Sequence, residues 1–381
     1  MNWRKGAALL LIMTGWFAIG WLARGLSSPP PALDNPELAL VAQAGEVVTT
    51  QSFGPTPQPR QLTYSAIRGM LDGLHDPYAT FFDPVLAARN RDALAGHDAS
   101  LGIRGEYQSG VFTVTRALPD MPAQQAGLQP DDVILEIDGW PVAQAHSESE
   151  VLTMLRGPLG STARLVVQRA GQPRTFEIVR QPVQEIITDT IDSDIAYIRL
   201  DRFSDKSPAL MQQALDQLIT DRTGGLIWDL RRNGGGLMES TRQVLDLFLA
   251  EGVAFYARTD DGALRPFNTS TGSRAEKIPL VVLIGPATYS APETVAAAIR
   301  DRQRGTLIGE TTYGKGAIVS TFDLRDGSAI RLTVAQWLSP VQQESFEGRG
   351  VAPDIVIQSD LDSADDEALR VAVEYLRQAA P

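Results

Sequence analysis

The sequence predicts an α/β fold whose working edge lies at the C-terminal ends of short buried strands. Residues 281–284 form a continuous apolar run, the mark of a strand buried on both faces. After a Gly-Pro turn and Ser290, the pattern turns helical from Pro292. Proline sits in the first turn, Glu293 stands beside the positive end of the helix dipole, and Val295 to Ile299 follow. Residues 306–309 read as a second short strand, completing a β-α-β unit. A further buried strand over 225–230 leads to three consecutive glycines, Gly234 to Gly236, ahead of a helix. Residues 100–182 instead carry short alternating runs and tight turns, an all-β pattern that marks a separate domain.

In chain order, residues 1–24 begin with Arg4 and Lys5 and continue as a mostly apolar run over 7–22. This is the pattern of a signal sequence or a single membrane anchor. Ala18-Ile19-Gly20 is only a weak cleavage site, which favours an uncleaved anchor with its basic flank in the cytoplasm. Either way the remainder is exported, to a bacterial periplasm or cell envelope, anchored by this segment or soluble after its removal. Residues 25–37 are a Pro/Ser linker. Residues 38–97 read as a helical region, with apolar positions at helical spacing over 62–74 and a stop at His75-Asp76-Pro77-Tyr78.

Residues 98–183 form the all-β domain. Gly127-Leu128 makes a turn, Asp131-Asp132 leads into a strand, and Asp138-Gly139 supplies a hairpin turn. A helix over 149–155, a turn over 156–161 and a strand over 163–168 follow. The pattern resembles a PDZ domain, which adds an extended peptide to a sheet edge and holds its terminal carboxylate with backbone amides. The resemblance places Leu101, Gly102 and Ile103 in the peptide-binding loop. In the α/β part, 184–358, a helix is expected over 208–219, a polar surface loop over 262–277 and a strand over 327–337. The C-terminal segment, 359–381, contains a last amphipathic helix over 365–377.

Composition narrows the chemistry. The 381 residues carry a net charge of −12 and no long basic run, which argues against nucleic acid as a partner. There is no cysteine, so disulfides, thiol catalysis and cysteine-held metals are excluded. The only histidines, His75, His97 and His146, lie far in sequence from Ser290, which argues against Ser-His-Asp catalysis and against a histidine-rich metal site. Lysine remains as a base. Lys315 sits between Gly314 and Gly316, across the β-α-β unit from Ser290. Burial would disfavour its ammonium and free it to take the serine proton. The amide of Ala291, at a helix N-terminus, is placed to donate to an oxyanion.

Two plainer readings compete. Ser290-Ala291-Pro292-Glu293 fits a capping box, in which the serine only ends a helix. Residues 309–315 fit the start of a P-loop, but Gly316 stands where a Mg²⁺-binding Ser or Thr belongs, and a strand follows.

Together these stretches resemble the C-terminal processing peptidases, the tail-specific serine proteases. The resemblance runs over residues 60–358. It rests on the Ser290 and Gly314-Lys315-Gly316 stretches, on Asp229-Leu230-Arg231-Arg232-Asn233-Gly234-Gly235-Gly236-Leu237, on the PDZ pattern and on a closing Gly348-Arg349-Gly350-Val351-Ala352-Pro353-Asp354. It implies a crotonase-like (ClpP/crotonase-type) protease domain with an inserted PDZ domain and a helical N-terminal region. Ser290 falls on the family's nucleophile, Lys315 on its general base, and Gly235 or Gly236, with Ala291, on its oxyanion hole. Val319 stands where the family has the glutamine that orients the lysine, so a dyad is implied. The implied function is cofactor-free peptide hydrolysis after PDZ recognition of an apolar C-terminus, with a homo-oligomer compatible. The alternatives are a weakened homologue that only binds C-terminal tails, as an adaptor, and acyl-CoA chemistry, in which a PDZ domain has no role.

Overall fold

The computed structural model describes residues 36–55, 57–118, 121–270, 274–358 and 366–379. The signal or anchor expected over 1–24, and most of the linker, lie outside the described residues. Among the described residues, no helix is long and apolar enough to cross a membrane.

The N-terminal region is helical as expected: α1 (Pro36–Gln51), α2 (Pro59–Asp72) and α3 (Pro84–Leu94). Proline opens each of them, where its missing N–H costs no hydrogen bond. His75, at positive φ, turns the chain after α2. Strand β1 (Thr80–Phe82) then leaves this region to pair elsewhere.

The strand pair β2 (Ala99–Ser100) and β9 (Gln181–Pro182) closes the neck of the inserted domain. Between them lie β3 (Ile103–Gln108), β4 (Val111–Ala117), β5 (Val133–Ile137), β6 (Trp140–Pro141), helix α4 (Glu148–Leu155), β7 (Thr162–Arg169) and β8 (Gln172–Val179). The sheet order is β3-β4-β5-β7-β8, so β3 is an edge strand. Asp138 and Gly139 both take positive φ, the hairpin turn read from the sequence. The core of this domain is shared: Phe82, Leu86 and Ala87 of the N-terminal region pack with Leu101, Ile103, Val151 and Met154.

The third part is a six-stranded sheet with helices on both faces. It comprises β10 (Ile186–Ile191), β11 (Ile195–Leu200), β12 (Gly225–Asp229), β15 (Leu280–Ile284), β16 (Thr306–Gly309) and β19 (Ile355–Val356), in that order. All neighbours are parallel except β10 and β11. Alternation divides the side chains. Trp228, Val282 and Ile284 face a core with α5 (Ser207–Leu218), α6 (Met238–Leu245) and α7 (Ala291–Asp301). Ile227, Val281 and Leu283 face α8 (Glu367–Ala379). Burial on both faces is why these strands read as unbroken apolar runs.

A separate antiparallel sheet completes the protease part: β13 (Gly252–Arg258), β14 (Leu264–Thr269), β17 (Ala317–Asp323), β18 (Ala329–Leu338) and the recruited β1. Two expectations are corrected here. The polar stretch at 262–277 is not all loop: β14 pairs with β13, and residues 271–273 lie outside the described set. Nor is the protease half a crotonase-like, ClpP/crotonase-type unit. Its serine follows a strand of the parallel sheet, while its lysine enters a different, antiparallel sheet that borrows β1 from the N-terminal region.

Candidate active site

Three loops meet at the C-terminal ends of β12, β15 and β16, the edge at which α/β sheets carry their sites. They are laced by backbone. Tyr289 N donates to Asn233 O (3.1 Å), Tyr313 N to Thr288 O (3.1 Å), and Thr288 Oγ1 to Leu230 O (3.0 Å).

Ser290 caps α7 with φ +69, a left-handed conformation unusual for a non-glycine residue. Strain of this kind persists only where the surroundings over-determine it. Glu293 does so. Its carboxylate is fully buried and accepts from Ser290 N (2.7 Å), Lys315 N (2.8 Å), Gly314 N (2.5 Å) and Thr312 Oγ1 (2.6 Å). Desolvation pushes its pKa up, and these four donors oppose the rise. The capping box foreseen in the sequence is thus half of a larger device: one carboxylate binds the serine loop to the lysine loop.

Lys315 is 8 % exposed. Its Nζ makes no hydrogen bond among the described residues. It lies instead over two ring faces, 4.4 Å from the centroid of Tyr78 and 4.7 Å from that of Tyr289. Burial brings its pKa down from 10.5 to about 8, and the nearby Arg331 guanidinium adds to the fall. Glu347, Asp76 and Glu293 oppose it more weakly. No hydrogen bond joins Ser290 Oγ to Lys315 Nζ. The lysine backbone is fixed by Trp337 Nε1, which donates to Lys315 O (2.8 Å), and by Glu347, which accepts from Gly316 N (2.7 Å). Gly314 needs to be glycine: φ is +100, and a Cβ there would meet Gly350 N at 2.8 Å. The closing motif read around Gly350 therefore packs on the lysine loop.

The glycine loop lies against the serine. A Cβ on Gly235 would come within 3.3 Å of Ser290 Cβ. Gly235 N donates to Asn233 Oδ1 (2.9 Å), and Gly235 O accepts from Phe203 N (2.9 Å). The parallel bridge to Phe203 uses Leu237 N and leaves Gly236 N out. Gly236 has φ +146, and a Cβ there would meet Phe203 O at 2.0 Å. Ala291, first residue of α7, has no carbonyl one turn back to occupy its N–H. Beneath the loop, Asp229 and Asp366 clamp Arg231, and Tyr197 Oη donates to Asp229 (2.9 Å).

Leu101, Gly102 and Ile103 lie at the start of the open edge β3. Leu101 and Ile103 point their side chains into the PDZ core. Gly102 takes φ +77, and its N–H donates to Ser100 Oγ (3.1 Å). From the same edge Arg104 Nη2 donates to Arg232 O (2.9 Å), so the edge strand β3 touches the glycine loop. Sequence reasoning missed Tyr78, Glu347 and the joining role of Glu293. Only the S-x-x-E spacing hinted at the last. Among the described residues no cluster of acidic and histidine side chains could hold a metal.

A strained serine, a buried lysine and free loop amides beside a peptide-adding domain define a serine-type peptidase. Comparison with known proteins gives the family. Residues 194–357 match the sequence model of peptidase family S41, and residues 113–169 match a PDZ domain. The chain is 33 % identical over 334 residues to the carboxy-terminal-processing protease of Bartonella bacilliformis, covering 85 % of this chain and 76 % of that one. It is 34 % identical over 326 residues to the carboxyl-terminal-processing protease of Synechocystis, covering 83 % and 76 %. The solved photosystem II D1 C-terminal processing protease superposes with a TM-score of 0.63 at 30 % identity, covering 86 % and 89 %. The chain belongs to the C-terminal processing peptidases of family S41. It is a serine-type endopeptidase whose PDZ domain recognises C-terminal peptide segments. Its fold is the S41 peptidase and PDZ fold, which replaces the crotonase-like assignment.

Proposed function

We propose that Ser290 is the nucleophile and Lys315 the general base. The observation that carries this is the Glu293 carboxylate, which accepts both Ser290 N and Lys315 N and so fixes the two loops as one unit. Neutral Lys315 takes the Oγ proton of Ser290 as Oγ attacks the scissile carbonyl. The oxyanion is met by the N–H groups of Ala291 and Gly236. Gly235 is the less suited of the two glycines, because Asn233 already occupies its N–H. The lysine ammonium then protonates the leaving amine. Water, deprotonated by the neutral lysine in turn, releases the acyl chain from Ser290. No cofactor enters these steps.

The substrate is read as a protein with a free apolar C-terminus, added to β3 beside α4 with its carboxylate at the amides of residues 101–103, where it takes over the Gly102 N–H that Ser100 Oγ accepts. The protein is read as extracytoplasmic, in a bacterial periplasm or cell envelope, with residues 1–24 as signal or anchor. Apolar side chains exposed on α1, among them Leu38, Leu40 and Val41, suit contact with a second copy. The test is cleavage of an unfolded protein by the full chain in detergent. Ser290→Ala and Lys315→Arg are each expected to lose cleavage, because arginine stays protonated at every working pH. Either variant cleaving at the wild-type rate overturns the assignment.

A further inference from the structure

We propose that Tyr78, with Tyr289, forms an aromatic clamp that positions the amine of Lys315 and takes the place of the glutamine absent at position 319. This rests on Lys315 being the base.

The placement comes from strand register. Val319 is paired across β17 and β18 with Thr333. Thr333 in turn holds the N-terminal region: its N–H and Oγ1 both donate to the Asp76 carboxylate, each at 2.9 Å. Asp76 also accepts Tyr78 N (2.9 Å). The residue facing Val319 thus delivers the Tyr78 ring to the lysine. The far end of the ring is pinned too. Tyr78 Oη donates to Glu347 Oε1 (2.9 Å), whose other oxygen accepts from Gly316 N, next to the lysine. Desolvation and Glu347 raise the Tyr78 phenol pKa, so it remains a donor. Tyr289 supplies the second face from the residue before Ser290, and its ring is braced edge-on by Tyr313 at 4.7 Å.

Among the described residues, the amine makes no hydrogen bond and has two ring faces within cation–π range. They restrict where Nζ can go and keep water from it. The charged groups around Lys315 come from every neighbouring element. Arg331 on β18 pushes its proton off; Glu347, Asp76 and Glu293 favour keeping it, and Glu148 at the start of α4 also faces it. Among the described residues the Arg331 guanidinium makes no ion pair, its Nε is buried without a hydrogen bond, and Asp76 offsets its charge only in part. The clamp needs no carboxylate or amide of its own and adds no charge to this balance. Its tyrosine comes from the N-terminal region, which on this reading is part of the active site. Tyr78 is a positioning residue, acting through Lys315.

The test compares full-length Tyr78→Phe, Tyr78→Leu and Tyr78→Met across pH 6 to 10, with kcat and KM on an unfolded protein. The phenylalanine variant keeps the ring and is expected within about threefold of wild type, with the same alkaline-rising limb. The leucine and methionine variants lose the ring and are expected to lower kcat by roughly tenfold or more, with KM within about twofold. Water admitted beside the amine is expected to move their limb to higher pH. The methionine side chain fills the space should leucine fold poorly. Equal losses in all three variants, or a ring-less variant with wild-type kcat and limb, overturn the clamp. Should Ser290→Ala and Lys315→Arg be dead while Tyr78→Met is unaltered, the clamp falls and the dyad stands. A fully active Lys315→Arg removes the dyad itself.

Discussion

Replacing Lys315 by methionine is expected to abolish cleavage and yet stabilise the protein. The lysine is 8 % exposed and its pKa falls from 10.5 to about 8 on folding. The folded state therefore holds the proton less firmly than the unfolded chain. At pH 7 that difference disfavours folding by roughly 3 kcal/mol, at about 1.4 kcal/mol per pKa unit. Methionine removes the cost and orphans nothing, because Nζ has no hydrogen-bond partner among the described residues. The lost contacts with Tyr78 and Tyr289 return about 1 kcal/mol, leaving a net gain of about 2 kcal/mol. The pH dependence fixes the cause. Between about pH 8 and 10.5 the unfolded wild type binds a proton that the folded form lacks, so its stability rises with pH while the variant's does not. Urea unfolding of both proteins, followed by fluorescence of the buried Trp228 and Trp337, measures this. The variant's advantage should be full below pH 8 and vanish towards pH 10.5. A variant no more stable at pH 7, or an advantage independent of pH, refutes the buried-lysine reasoning.

Glu293→Gln converts one acceptor oxygen into a donor among four groups that already donate. It is expected to cost about 2–4 kcal/mol by the same unfolding assay, since buried donors are left unpaired. Cleavage should fall with it, whereas PDZ-peptide affinity should not; unchanged stability would deny Glu293 its joining role. A peptide ending in apolar residues should bind the full-length Ser290→Ala protein several-fold more weakly once its C-terminus is amidated, as measured by fluorescence anisotropy. Equal affinity for acid and amide would remove the carboxylate loop at residues 101–103.

The parallel strands were legible because burial on both faces writes itself as unbroken apolar runs, as at β12 and β15. The turns were legible where chemistry demands a residue, as at Asp138-Gly139 and at Gly314. The polar stretch containing β14 was not. Its burial pattern is mostly exposed, and β13 supplies the pairing that makes it a strand. Nor could the sequence show that β1 leaves the helical region to join β18, since three residues carry no usable period. At the site, Ser290 and Lys315 could be singled out one by one. Of what joins them, only Glu293 left a local trace, in the S-x-x-E spacing; Tyr78 and Glu347 come from far away in sequence.

Position 319 shows why a departure from a family pattern need not end an activity. A glutamine carbonyl beside the lysine would orient the amine through one directional bond, but it would also stabilise the ammonium and raise the pKa. Valine does neither. Lys315, the proposed base, owes its lowered pKa to burial and to the nearby Arg331, while ring faces restrict its position without offering an acceptor. Orientation falls to the ring faces, whose cation–π attraction favours the ammonium by about 1 kcal/mol, while burial and Arg331 drive deprotonation. Such a site exchanges directional precision for a base that is neutral nearer pH 8. Losing the glutamine therefore shifts the demand to the N-terminal region, whose Asp76-to-Thr333 contact keeps Tyr78 in place. A chain with valine at this position and no aromatic side chain at position 78 would have a desolvated lysine with nothing to aim it.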